Sequence, residues 1–228
     1  MAPSPTFATP QLKQLIYYHL DNESLDNANF LAGRLHATDP KDPDTVHLLA
    51  LTFQRLRRPK AAYDFAQKHG ATGKHLGCAF VFALACHDLG KFSDGIAALE
   101  KARALWLGRD HWGVFPSSLK RVPLPGANLT ALLAKHTETT RRHVPDAPAV
   151  NTLLGKLWRG HGDAQRAADC YMEAHKANPF TWEAFQALCD LGIHSTRSSH
   201  PKFHVPPILT LLQALTLTWP IRSGPLLK

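Results

Sequence analysis

Three histidines near the C-terminus, His194, His200 and His204, are the residues whose type most readily suggests chemistry, because neutral imidazole is a common zinc ligand. Their spacings of six and then four residues match no strong zinc pattern, and no cysteine or carboxylate pair accompanies them, so no bound metal is expected. Gly70-x-x-Gly73-Lys74 carries the glycines and the lysine of a phosphate-cradling loop. In that motif, however, Lys68 stands where the first glycine belongs, His75 replaces the Ser or Thr, and no strand precedes it, so it reads as a turn between helices. Ser, His and Asp are present, but none sits in a nucleophile elbow. Glu100, Glu173 and Glu183 fall on solvated helical faces, and His69, His75 and His87 on helix ends and faces where solvation or capping is expected. Cys78, Cys86, Cys170 and Cys189 form no C-x-x-C pair and lie in apolar helical text, as small buried residues do. The expectation is a chain without catalysis, cofactor or metal.

What must be positioned, then, is surface rather than reactive groups, and the pattern of small and aromatic residues shows how. Residues 151–182 contain Leu154-Gly155-x-x-Trp158, then Ala167, Tyr171, Ala174 and finally Asn178-Pro179. This spacing resembles the tetratricopeptide (TPR) repeat, in which two antiparallel helices meet at small residues, aromatics fill the seam and proline ends the second helix. Such a hairpin cannot bury its own apolar face, so stacked copies are expected. They are found. Leu49-Ala50-x-x-Phe53 and Phe82-Ala83-x-x-Cys86 occupy the same slots in two earlier first helices. Ala28, Ala62 and Gly95 hold the small slot of the second helices, spaced 34 and 33 residues apart, which matches the repeat period of about 34. Phe53, Tyr63, Phe82, Phe92, Trp158, Tyr171, Trp182 and Phe185 all read as packing positions.

The expected architecture is all-α, a superhelix of about four hairpins and a partial fifth over residues 10–192. A disordered N-terminus occupies 1–9, and a proline-rich insertion occupies 108–147, with one short helix near 129–141. Residues 193–228 read as a weakly ordered tail. The formal charge of +8 is dispersed over short groups such as Arg55-x-Arg57-Arg58-x-Lys60, without interleaved aromatics, so nucleic acid is not the expected partner. The apolar stretch 207–219 is too short to span a bilayer. The first ten residues lack the charged start and apolar block of a secretory leader, so an oxidising compartment is not expected.

One stretch is more specific than a generic repeat. Asn178-Pro179-Phe180-Thr181-Trp182 through Phe185, Leu188-Cys189 and Gly192 closely resembles a block of the third, cell-division-cycle-27-type, TPR subunit of the anaphase-promoting complex (cyclosome). Ala28 to Leu35, His47-Leu48-Leu49-Ala50, Ala61-Ala62-Tyr63 and Cys86 to Lys91 resemble its earlier repeats, so the likeness runs from about Leu12 to Gly192. The resemblance implies a scaffold subunit of a ubiquitin ligase acting in mitosis, contacting other subunits, in the nucleus and cytoplasm. It also implies an N-terminal homodimer interface, for which Leu12, Leu15, Ile16, Tyr17, Tyr18, Phe30 and Leu31 are the surface candidates; packing on the second repeat is the alternative for each. The family's C-terminal repeats, which receive activator tails, have no counterpart here, so activator-tail binding is not expected. Residues 193–228 depart from the family and are expected to be a truncated or mis-spliced end. The alternatives are an unrelated TPR adaptor of the co-chaperone kind, although no Lys/Asn/Arg carboxylate clamp is evident, and a basic RNA-binding helical repeat.

Overall fold

Proline and acidic caps set the helix boundaries. Asp42 caps a helix whose first residue is Pro43, its carboxylate accepting from the Asp44 amide at 3.1 Å. Asp146 and Asp163 accept in the same way from the amides of Ala149 and Arg166, each at 3.0 Å. A side-chain cap of this kind satisfies one otherwise orphaned amide and stabilises a helix by about 1 kcal/mol. Proline as a first helical residue costs nothing there, because its missing N–H would have had no partner.

The computed structural model describes residues 5–107 and 144–192. Among these lie ten helices and no strand. They are α1 (Pro5–Asp21), α2 (Leu25–Thr38), α3 (Pro43–Arg55), α4 (Pro59–Gly70), α5 (Leu76–Asp88), α6 (Phe92–Lys101), α7 (Arg103–Trp106), α8 (Ala147–His161), α9 (Ala164–Ala177) and α10 (Trp182–Asp190). The pairs α1/α2, α3/α4, α5/α6 and α8/α9 form antiparallel hairpins, and α10 packs on α9 as an unpaired fifth first helix. Each hairpin rests on the next: α2 on α3, α3 and α4 on α5, α5 and α6 on α8. The result is a TPR solenoid whose buried residues fall into four clusters, bridged by the partly buried Leu20, Phe53 and Trp158.

The small residues lie where the backbones close. Ala28, Ala62, Ala83, Ala167 and Ala174 are fully buried. A methyl group placed on Gly155 would stand 2.5 Å from the Tyr171 ring, so this glycine is the socket for that tyrosine. Gly95 faces Cys86 and also Leu157 of the next hairpin, at 3.0 and 3.1 Å from a notional Cβ. It therefore serves the seam between repeats as well as the hairpin itself. Leu49, Ala50, Leu154 and Tyr171 are buried, while Phe53 and Trp158 are half-buried against the core.

Several expectations are corrected. Helix α1 begins at Pro5, so the ordered array starts inside the segment read as a disordered 1–9, and Pro10 lies within the helix rather than at its start. A short helix, α7, follows α6. Its Trp106 is buried and donates through Nε1 to the Leu99 carbonyl at 2.9 Å, so a residue passed over in the sequence closes the third hairpin. Pro179 is exposed: α9 already stops at Ala177, with Asn178 as its cap, and the proline only blocks continuation. Trp182, read as a packing aromatic, is 68% exposed, since among the described residues no second helix pairs with α10. Cys78 and Cys86 are buried, but Cys170 and Cys189 are only half-buried. The short helix near 129–141, most of the insertion, the three tail histidines and the segment 207–219 lie outside the described residues.

Candidate interaction surfaces

The seven N-terminal residues offered as a self-association surface divide into two groups. Ile16 is fully buried with Ala32, Leu35, Leu48 and Leu49, so it is core and not a contact surface. The 3.6-residue period that put it beside Leu12 also points it at α3, which the sequence could not show. Leu12, Tyr17 and Leu31 are half-buried against that same cluster. Leu15, Tyr18 and Phe30 stand out into solvent at 46%, 60% and 67% exposure. All three are on the first hairpin, Leu15 and Tyr18 one helical turn apart on α1 and Phe30 on α2.

On the edge where α1, α3 and α5 come together lies a polar clasp. Asp44 accepts from Lys13 Nζ at 3.3 Å and from His75 Nε2 at 3.0 Å. His75 Nδ1 in turn accepts from the Cys78 amide at 3.1 Å and so caps α5. That second bond fixes the tautomer: Nδ1 is the acceptor, so Nε2 carries the proton and donates to Asp44. The hydrogen bond from His75, aided by the Lys13 charge, holds the Asp44 carboxyl well below the usual carboxylate range despite its partial burial. His47, 4% exposed, packs its ring on Gly77 and lies 5.7 Å from the His75 ring. Lys13, Asp44 and His75 are each 31 residues apart, so a charged or polar residue recurring at that interval was the signal that reading the apolar positions missed.

A second polar edge joins the later repeats. Lys156 of α8 pairs with Glu183 of α10 at 2.9 Å, and Arg159 with Asp190 at 3.5 Å. Glu183, read as solvated, is exposed and also tethers two first helices. These four residues, with His87, Phe92, Gly160, Tyr171, Gln186 and Ala187, line an open cleft of about 500 Å³. Its wall is a mixture of paired charges, and nothing in it resembles a nucleophile with a base. The thiols of Cys78 and Cys86 are pushed up to about 12 by burial, and that of Cys170 to about 11, so these sulfurs are not poised as nucleophiles. Among the described residues, no group of three or more His, Cys, Asp or Glu could hold a metal ion. No helix there is long and apolar enough to cross a membrane. What the arrangement offers is contact surface.

Residues 21–102 match the family model of the anaphase-promoting complex, cyclosome, subunit 3. Protein bimA of Emericella nidulans is 45% identical over 193 residues, which is 85% of this chain and 21% of that protein. Anaphase-promoting complex subunit 3 of Schizosaccharomyces pombe is 29% identical over 205 residues, 90% of this chain and 27% of that one. Over most of its length, then, the chain is similar to subunit 3 of the anaphase-promoting complex, and residues 21–102 fit that family's model. The human cell division cycle protein 27 homolog is a more distant member, 24% identical over 177 residues, 78% of this chain and 18% of its own length. The chain thus spans about a fifth to a quarter of the curated subunit 3 relatives it matches. Among solved structures, MamA aligns at TM-score 0.51 and 15% identity over 76% of this chain and 80% of that one. A MamA double mutant (RS-1 ArsTM) aligns at 0.54 and 12%, over 81% and 83%. At such identity these two speak for the helical-repeat fold alone.

Proposed function

We propose that this chain is a non-catalytic scaffold segment of the anaphase-promoting complex, holding other subunits of that ubiquitin ligase and pairing with a second copy of itself, in the nucleus and cytoplasm of dividing cells. The single observation that carries the reading is the match of residues 21–102 to the subunit 3 family model. The fold supports it physically. Stacked hairpins give a long surface at small cost in chain, and a few exposed anchors supply most of the binding energy. For self-pairing, Leu15, Tyr18 and Phe30 are those anchors, with the half-buried Leu12, Tyr17 and Leu31 at their margin.

Two measurements test it. Affinity capture of the tagged chain from mitotic cells should bring down other complex subunits; capture that lacks all of them sinks the scaffold reading. Sedimentation of the full chain at several micromolar concentrations should show a dimer, and Phe30→Asp with Leu15→Asp should shift it to monomer without loss of helicity. A parent chain that stays monomeric throughout removes the self-pairing.

A further inference from the structure

The four cations Arg55, Arg57, Arg58 and Lys60 cluster at the turn between α3 and α4, and nothing described above uses them. All four are exposed, and none has an ion pair or side-chain hydrogen bond among the described residues. Other cations among the described residues are engaged: Lys13 with Asp42 and Asp44, Arg103 with Glu100, Arg166 with Asp163, Lys176 with Glu173. Two local features place this unmatched charge. Arg57 has φ 58°, the left-handed region, where the turn after α1 places Glu23 at φ 55° and the turns after α5, α8 and α10 place Gly90, Gly162 and Gly192. An arginine thus stands where the turn geometry prefers glycine. Arg58 is the residue capping α4, gives no side-chain hydrogen bond, and the first turn of α4 has no acidic residue. The positive end of the helix therefore adds to the cations instead of being offset.

We propose that the α3–α4 turn is a docking site for a phosphorylated segment of a partner protein. The chemistry fits a phosphate dianion. Three guanidiniums within four residues can present planar forks to phosphate oxygens, and Lys60 adds a point charge beside them. The same turn is a poor track for nucleic acid, which needs positive charge along successive phosphates. The preceding turn carries Asp21, Glu23 and Asp26. The following one carries Asp88 and Asp94 and lies directly alongside, Gln54 of α3 donating to Asp88 at 2.7 Å. On the side of the following turn the positive patch is bounded by negative charge, so it suits a short anion cluster on a peptide better than a continuous polyanion. Lys91, held 3.9 Å over the Tyr63 ring, is the nearest further cation on the following turn.

Fluorescence anisotropy tests this with the full chain and a labelled ten-residue acidic peptide bearing one phosphoserine, against its unphosphorylated twin. The phosphopeptide should bind roughly tenfold more tightly than the twin, and the combination Arg57→Gly with Arg58→Gln should weaken it by roughly tenfold or more. Arg57→Gly alone, at a position shaped for glycine, should melt no lower than the parent and still lose part of the affinity. Lys176→Gln, on α9, should leave binding unchanged. Equal affinity for the two peptides, or unaltered binding by the arginine variants, overturns the proposal. So does preferential capture of a ten-nucleotide polyuridine or of phosphatidylserine vesicles in competition with the phosphopeptide.

Discussion

Gly33 and Gly155 are both helical glycines, and adding the same methyl group to each should move stability in opposite directions. At Gly33, in α2, a Cβ meets nothing within 4 Å. Gly33→Ala should therefore gain the helix-propensity difference, about 0.8 kcal/mol, with no opposing contact. At Gly155, in α8, the new carbon would sit 2.5 Å from Tyr171 Cε1 and 2.7 Å from Cδ1 and Cζ. Tyr171 is 1% exposed and packed with Ala167, Ala174 and Leu188, so shifting its ring disturbs that buried cluster. Overpacking of this kind costs about 1–3 kcal/mol, which exceeds the propensity gain and leaves Gly155→Ala destabilised by about 1 kcal/mol. Thermal unfolding followed by circular dichroism at 222 nm reads both. For a chain of this size the expected shifts are about 2–4 °C per kcal/mol, upward for Gly33→Ala and downward for Gly155→Ala. Pairing Gly155→Ala with Tyr171→Leu, which removes the crowding edge, should recover part of the loss as a favourable coupling. If Gly155→Ala raises the midpoint as much as Gly33→Ala does, the glycine is not a socket, and the argument that small residues let the hairpins nest fails.

Other outcomes follow from the same geometry. Asp44→Asn should cost about 1 kcal/mol at neutral pH, a value kept low because the carboxylate is half exposed. Because the folded carboxyl titrates below its ordinary range, that stabilisation is present above about pH 4 and fades as pH falls further, so urea midpoints of parent and variant should converge in acid. Burial lowers the pKa of His175, which packs against Phe185. Its neutral form is the folded one, so stability should be full above about pH 6.5 and decline below it, and His175→Gln should lessen that decline in chemical denaturation. Leu157→Ala, deleting a fully buried side chain at the seam with Gly95, should cost about 2–5 kcal/mol and expose α8–α10 to limited proteolysis before α1–α6, since each repeat leans on its neighbour.

The hairpins were legible in the chain because their cause is local. Small residues at a 34-residue period, prolines at helix starts and aspartates before them act within one or two turns of helix, and a linear reading captures them. Residues 154, 155, 158, 167 and 171 announce a helix pair by spacing alone. Which face of that pair meets solvent is another matter. Ile16 and Leu15 are adjacent in sequence and equally apolar, yet one is sealed against α3 and the other stands open, because only the neighbouring hairpin decides which stripe is covered. Trp182, read as a packing aromatic, stands exposed, while Trp106, on which the sequence offered no reading, folds back to the Leu99 carbonyl and is buried, for the same reason. The Lys13–Asp44–His75 clasp and the bare cationic turn depend on charges from separate repeats being brought together or left alone. Periodicity in one dimension sets where the chain coils. Burial and charge pairing are properties of neighbours in three dimensions, and those were settled only when the repeats stacked.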